Sequence, residues 1–443
     1  MKIGTQVLIS NSVWSILYQA VRVGTLAGVT IALSRHFGPQ RFGSLAFGLA
    51  FVRIFAVVAA FGLDRVLVRH LAEPGAENSR VVRSIFGLKL IIAVASYLAL
   101  LGFVWAIAGQ DRLLLAIVVL AGAGLLFQPL DVFDYTFQAR NRFRLTFLGR
   151  GLPTLCSAGL KIGAVLWGAP LLVFAFLETL EAGLIGGALL LIHRTVSRER
   201  VKAAPPVLKW RPLLAQGFPL LLGSLAVMIY MRTDVLMLGK MAGYRAAGIY
   251  SAAAQVSEAC TLVSVALVPA LFPILLRWRA LGLGFYHRQF EKLFLVAFLS
   301  GLAVALILTI FAPVIVRSLF GDQFLSATTV LRILAWVPVF VFLGVTQSGY
   351  DITEGLTWMA TLRTAAGAVI NIGLNLVLIP RYGPMGAAAA TVIAQAFPSV
   401  LLNISHRKTQ PIFAMQMRAL CLIPLFRAKC DWDCFPFKIP RES

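Results

Sequence analysis

Residues 10–33 read SNSVWSILYQAVRVGTLAGVTIAL. The run matches the hydrocarbon core of a bilayer, which roughly 20 helical residues span. Asn11, Ser15, Tyr18, Arg22 and Thr25 recur through it at steps of four, three, four and three, so one helical face carries all five. Arg22 falls near the middle. A central Arg costs on the order of 2.5 kcal/mol or more on insertion scales, which directs it to protein or water rather than lipid. A greasy helix with one polar stripe implies a bundle with a polar interior.

The rest of the chain repeats that character. Hydrophobic residues make up 59% of 443 and charged residues only 13%, with mean hydropathy +0.85. Soluble domains carry about 25% charge. The composition therefore reads as an all-α polytopic membrane protein. Apolar runs fall at about 10–33, 42–63, 84–108, 113–137, 145–167, 169–193, 213–238, 248–272, 293–316, 329–350, 359–379 and 384–406, twelve in all. Between the sixth and seventh, residues 194–212 hold six basic residues and the pair Pro205-Pro206, a basic cytoplasmic linker between two six-helix lobes, 1–193 and 213–406. Residues 407–443 form a cytoplasmic tail, whose stretch 407–427 alternates basic and apolar residues as a membrane-surface segment does.

The net charge of +22 comes from 40 Lys+Arg against 18 Asp+Glu. With both termini inside, cytoplasmic segments hold 25 basic residues and outer loops seven. That asymmetry is the positive-inside rule, and it accounts for most of the excess without nucleic acid. Cleaved-signal character is absent, because Arg22 interrupts the first apolar region and no A-x-A site follows. The five cysteines have no metal-ligand spacing; Cys430 and Cys434 sit without a nearby His or second pair. No P-loop occurs, and the five His lie at helix ends or in loops. Neither a cofactor nor a metal is called for.

Two segments repeat at a constant offset of 205: residues 33–43, with Gly38 and Gly43, and residues 238–248, with Gly243 and Gly248. Each glycine pair marks a tight turn and the start of the next helix. Even helix numbers before the break make the halves parallel, pseudo-symmetric repeats.

Eight basic residues remain inside apolar runs. Lys89, Arg150, Arg332 and Arg363 lie near helix ends, where snorkelling to the headgroups is the plainer reading. Arg22, Arg53, Lys161 and Arg232 have no such easy escape, and a lined cavity is favoured for them over purely structural salt bridges. Among intramembrane acids, Glu178 and Glu181 share a face, and Ser251, Gln255 and Glu258 form a stripe. Asp234 follows Arg232 by two positions and points to another side. Asp131 and Asp134 sit near an inner helix end, where solvation explains them. The offset maps Arg53 onto Glu258 and Arg22 onto Val227, so Arg22 has no charged twin. Fixed cations in such an interior suit an anionic headgroup, since guanidinium meets phosphate bidentately.

The motifs at residues 11–17 (NSVWSIL), 37–43 (FGPQRFG), 61–69 (FGLDRVLVR), 232–239 (RTDVLMLG) and 380–386 (PRYGPMG) resemble the oligosaccharide-flippase branch of the multidrug/oligosaccharidyl-lipid/polysaccharide exporter superfamily. The resemblance covers nearly all of residues 1–406. It implies two six-helix lobes around a central cavity that opens alternately to each side. It implies transport of an undecaprenyl-pyrophosphate-linked sugar repeat unit, such as O-antigen, across the bacterial cytoplasmic membrane, coupled to proton or sodium entry. Arg22, Arg53 and Arg232 match the family's cationic lumen residues. With Lys161 they are the expected substrate-binding set, and Glu258 or Asp234 the expected ion-coupling carboxylate. Expected partners are the polyprenyl-pyrophosphate-linked oligosaccharide and membrane lipids, with polysaccharide assembly proteins as further candidates. The alternatives are a multidrug cation antiporter of the same superfamily, which an Arg-rich interior disfavours, a lipid II flippase, and a polysaccharide polymerase or ligase, which lacks here the usual long outer loop.

Overall fold

The computed structural model describes residues 2–72, 78–196, 210–404 and 406–421. Residues 197–209 of the expected linker and the tail beyond Cys421, with Cys430 and Cys434, lie outside them, as does the side chain of Asn11. The described chain is helical, without a strand. This is what a bilayer demands, since a helix satisfies its own backbone polar groups. Among the described residues, nine stretches are long and apolar enough to cross a membrane. One of them, Val13–Leu71, carries two of the twelve apolar runs, and a count of twelve is compatible with the rest.

Two compact units divide the chain, Met1–Gly239 and Lys240–Ser443. The first opens with α1 (Lys2–Ala60), which is two helices joined at Gly38, where φ is 67° and ψ 176°. Pro39 follows, suited to the first turn of the second helix. Gly243, at the repeat offset, has φ 86° and ψ 168°. The two glycines share one left-handed backbone state, the conformation that glycine adopts without steric cost.

The chain then turns through Phe61 and Gly62, both at positive φ, into the short amphipathic α2 (Leu63–Ala72). Next come α3 (Asn78–Ala108) and α4 (Arg112–Gly122). The latter runs into a 3₁₀ segment, Ala123–Asp131, that contains Pro129. After α5 (Val132–Ala139) and α6 (Phe143–Thr146), a π-turn at Phe147–Gly151 leads into α7 (Leu152–Leu166). The first unit is completed by α8 (Leu171–Val196) and nearly all of α9 (Trp210–Met241). Leu63, Leu67, Ile85, Leu88, Val132 and Leu213 form a buried cluster that ties α2, α3, α5 and α9 together.

Gly62 is held close against α9. A Cβ there would lie 2.6 Å from Leu220 Cβ and 2.7 Å from the Gly217 carbonyl oxygen, at a φ of +67°. Gly62→Ala therefore combines left-handed strain with overlap against backbone, and a loss of about 2 kcal/mol is expected. Thermal unfolding of the purified protein in detergent measures it; an unchanged midpoint would show that α9 moves aside freely.

The second unit holds α10 (Tyr244–Ala280), α11 (Leu283–Phe320), α12 (Ala327–Leu334), α13 (Val337–Thr353), α14 (Thr357–Tyr382), α15 (Pro384–Ser399) and α16 (Gln410–Leu420). Leu275, Tyr286, Phe290, Phe294, Leu343, Tyr350 and Met359 form its aromatic core. Ile412, Met415 and Ala419 of α16 complete that core. Over α16 the structure corrects the surface-lying reading of 407–427, whose residues 422–427 lie outside the described ones: α16 is amphipathic, but α11 covers its apolar face. Arg418 on its outer face pairs with Glu291 at 2.5 Å.

Candidate functional site: charged clusters inside the helical units

The sequence-predicted cations fall in different surroundings. Arg22 is exposed on α1, and among the described residues no carboxylate is paired with it. Its helix also exposes Val13, Ile16 and Leu26, so Arg22 stands out on an apolar surface. Trp14 and Tyr18 anchor this part of α1: Trp14 packs on Phe147 with ring centroids 5.3 Å apart, and Tyr18 lies within electrostatic reach of Arg150. Arg53 is half-buried in the second half of α1. Arg232 is half-buried on α9, while Asp234 is buried and interacts electrostatically with Tyr230. Ser251, Gln255 and Glu258 are all half-buried along one face of α10.

Lys161 has a different setting. Its Nζ lies 2.7 Å from Glu178 Oε1 and 2.7 Å from Glu181 Oε2, and only 5% of the residue is exposed. Ser157, one turn earlier on α7, donates to Glu181 Oε2 at 2.9 Å. Two carboxylates therefore enclose one ammonium, leaving a net charge of −1 between α7 and α8. In this arrangement Lys161 is a neutralised cation rather than a bare one.

The structure corrects three snorkelling readings. Lys89 is 1% exposed, with its Nζ 2.5 Å from Asp64 Oδ1 and 5.3 Å from the Tyr135 ring centroid. Arg150 reaches from the π-turn to Asp131 Oδ1 at 2.8 Å and Asp134 Oδ2 at 2.6 Å. Gln138, one turn along α5, donates to the same Asp134 oxygen at 2.8 Å. Arg363 pairs with buried Asp351 and donates to Asn403 Oδ1 at 2.9 Å. Each of these side chains bends inward to an acid because the acid sits at its own depth; headgroups are the fallback only where no such partner exists. The solvated reading of Asp134 fails for the same reason, since it is 1% exposed. Arg332, by contrast, is exposed.

A polar knot in the second unit has no counterpart in the sequence reading. Asn403 exchanges hydrogen bonds with Gln347 at 2.7 and 3.2 Å and donates to Gln416 Oε1 at 3.0 Å. Gln416 also donates to the Ser399 carbonyl at 2.9 Å. With Arg363 on the same Oδ1 and the Ser399 carbonyl accepting from Asn403 Nδ2, four helices and the 3₁₀ turn at Leu401–Ile404 are thus joined through one amide.

Comparison with known proteins now adds a lineage to this geometry. The model of the polysaccharide biosynthesis protein family matches residues 8–278, more than half of the chain. The chain belongs to that family. It is accordingly a multi-pass membrane transporter of the multidrug/oligosaccharidyl-lipid/polysaccharide exporter superfamily. A probable low-salt glycan biosynthesis flippase of Haloferax volcanii is 25% identical over 398 residues, covering 84% of this chain and 78% of the relative. A Shigella flexneri protein with the provisional name O-antigen transporter is 22% identical over 418 residues, 89% of this chain and 97% of its own. Among solved structures, a lipid II flippase in an inward closed conformation superposes with a TM-score of 0.71. It covers 97% of this chain and 94% of its own at 14% identity, a likeness of fold.

Within this family member, the charges divide into two classes. Lys89, Arg150, Lys161 and Arg363 are held by carboxylates of their own unit. Arg22 on the first helix and Arg332 are exposed, and among the described residues no carboxylate is paired with either.

Proposed function

We propose that the chain flips undecaprenyl-pyrophosphate-linked oligosaccharide repeat units, of O-antigen or another surface polysaccharide, across the bacterial cytoplasmic membrane by alternating access. The family match and the names of the relatives support a glycan cargo. The observation that carries the anionic headgroup is Arg22. A guanidinium exposed in the middle of an apolar span is retained against a cost of about 2.5 kcal/mol or more, and a pyrophosphate is a bidentate partner for it. Arg53 and Arg232 serve the same anion, while the polyprenyl tail stays in lipid. Lys161 can serve it only by exchanging Glu178 or Glu181 for the substrate. Glu258 or Asp234 carries the coupling ion, proton or sodium. The excess of basic residues in alternate segments supports cytoplasmic termini.

Arg22→Ala and Arg53→Ala, made separately, test the headgroup role. Each removes a charge-assisted contact worth about 1.5–3 kcal/mol, a tenfold or greater fall in affinity. Surface polysaccharide should drop accordingly in cells with normal protein levels; unchanged polysaccharide in both variants sinks the reading. The rival reading, a multidrug cation antiporter, predicts drug resistance on overexpression with intact glycan export. A lipid II flippase is separable because its loss is lethal.

A further inference from the structure

One end of the second unit carries more positive charge than its acids hold. At the end where α10 passes into α11 and α13 into α14, Arg418 holds Glu291, Arg363 holds Asp351 and Arg279 holds Glu354. Of the other described acids of this unit, Asp322 pairs with Arg317 at the opposite end, and Glu258 lies midway along α10. Arg277, Arg288, Arg407 and Lys408, at the first end, are exposed, and among the described residues no carboxylate is paired with any of them.

Arg407 and Lys408 also stand beside an apolar floor. Trp358 opens the apolar span Trp358–Tyr382, and Ile404 closes the span Pro384–Ile404. The two ends meet, with the Trp358 ring 6.3 Å from that of His406 and nearly perpendicular to it. Trp358 and Leu362, which share a face of α14, are exposed, as are Leu401 and Ile404 in the 3₁₀ turn. The loop that displays the two cations is closed on both sides of them: Thr409 is buried, and its Oγ1 donates to the Asn403 carbonyl at 2.9 Å. Gln347, Arg363 and Gln416 fix the side chain of Asn403 from behind. Cations just past the end of an apolar span lie at headgroup depth, and exposed Trp and Leu beside them lie at the boundary with the acyl chains.

We propose that this corner binds the headgroup of an anionic diacyl phospholipid. Arg407 and Lys408 hold its phosphate, and Trp358, Leu362, Leu401 and Ile404 receive the first carbons of its acyl chains. Occupation ties the start of α14 to the loop before α16. A soluble phosphate would use the cations alone and leave the apolar floor bare. A zwitterionic lipid brings its own cation and offers no net charge to offset theirs. The positive-inside rule asks for basic residues on one side of a bilayer, but not for their seat beside Trp358 in a closed loop. This surface goes beyond the transport reading and does not rest on it.

Native mass spectrometry of the purified full chain, titrated with phosphatidylglycerol or with phosphatidylcholine of the same acyl chains, reads the site directly. The wild type should retain phosphatidylglycerol in preference to phosphatidylcholine. The double variant Arg407→Gln, Lys408→Gln should hold one phosphatidylglycerol per chain about tenfold more weakly, and Trp358→Ala should weaken the same lipid. Arg245→Gln, Arg381→Gln removes two exposed cations from the opposite end of the same unit and should leave retention at the wild-type level. Phosphatidylglycerol should also raise the thermal midpoint of the wild type more than that of the Arg407, Lys408 variant, whose midpoint without lipid should match the wild type. Equal weakening in the two double variants overturns the proposal, because net charge alone then accounts for it. Wild-type retention in Arg407→Gln, Lys408→Gln overturns it too, as does displacement of the lipid by glycerol phosphate, which would make the ligand a soluble anion. None of these results touches glycan transport, which is measured separately in cells.

Discussion

Lys161→Ala is expected to destabilise the first unit by about 3 kcal/mol, because it leaves Glu178 and Glu181 facing each other without a counter-charge. Removing one partner of a buried ion pair costs about 3–5 kcal/mol, most of it the penalty of the stranded charge. The lower end applies because Glu178 and Glu181 are 36% and 24% exposed and recover some hydration. Thermal unfolding in detergent should fall by several degrees. The decisive comparison is the triple variant Lys161→Met, Glu178→Gln, Glu181→Gln. If the cluster is structural, neutralising all three together restores most of the midpoint, since the penalty belongs to unpaired charge rather than to lost volume. If the triple variant is as stable as the wild type but exports no glycan, Lys161 and its two carboxylates act in transport as well. A single Lys161→Ala variant with an unchanged midpoint would mean that water already fills the site.

The architecture was legible at the level of runs and turns. Apolar length and the glycine offset are one-dimensional signals, and each has a direct structural cause. The left-handed state shared by Gly38 and Gly243 shows how far such a signal reaches. The charge partners were not read, because each pair joins two helices and no single helical face contains it. A signal was nonetheless present. Residues on the two arms of an antiparallel hairpin lie at equal depth when they are equally far from the turn, at about 1.5 Å per residue. Gly168 turns the chain between α7 and α8, with Lys161 seven residues before it and Glu178 ten after. Asn141 turns it after α5, with Asp134 seven before and Arg150 nine after. Gly355 does so after α13, with Asp351 four before and Arg363 eight after. Mismatches of two to four residues amount to about one helical turn, which a Lys or Arg side chain spans. Arg22 has no acid placed this way on the opposite arm. Residues 43–54 follow its turn at Gly38 and hold Arg53 but no carboxylate. That is the same distinction the structure draws between held and exposed cations.

The Arg363–Asp351 pair of the second unit should show the largest single loss. Arg363→Ala removes the counter-charge of Asp351, which is 1% exposed, and the expected cost is about 3–5 kcal/mol. The damage spreads further than at Lys161, because the same guanidinium donates to Asn403 Oδ1. Asn403 keeps Gln347 as a second donor at 2.7 Å, so the knot around Gln416 loosens rather than opens. Through Gln416 it reaches α16, whose Ile412, Met415 and Ala419 cover the aromatic core of the unit. Two readouts separate these effects. Unfolding midpoints should recover in the double variant Arg363→Met, Asp351→Leu, which replaces the ion pair by apolar volume. Hydrogen exchange at α16 should rise in Arg363→Ala and stay raised in the double variant, because the donor to Asn403 is still missing. Recovery of both would confine the role of Arg363 to charge balance. Recovery of the midpoint alone makes it a positioning residue that ties the helix after the last apolar run to the core of the second unit.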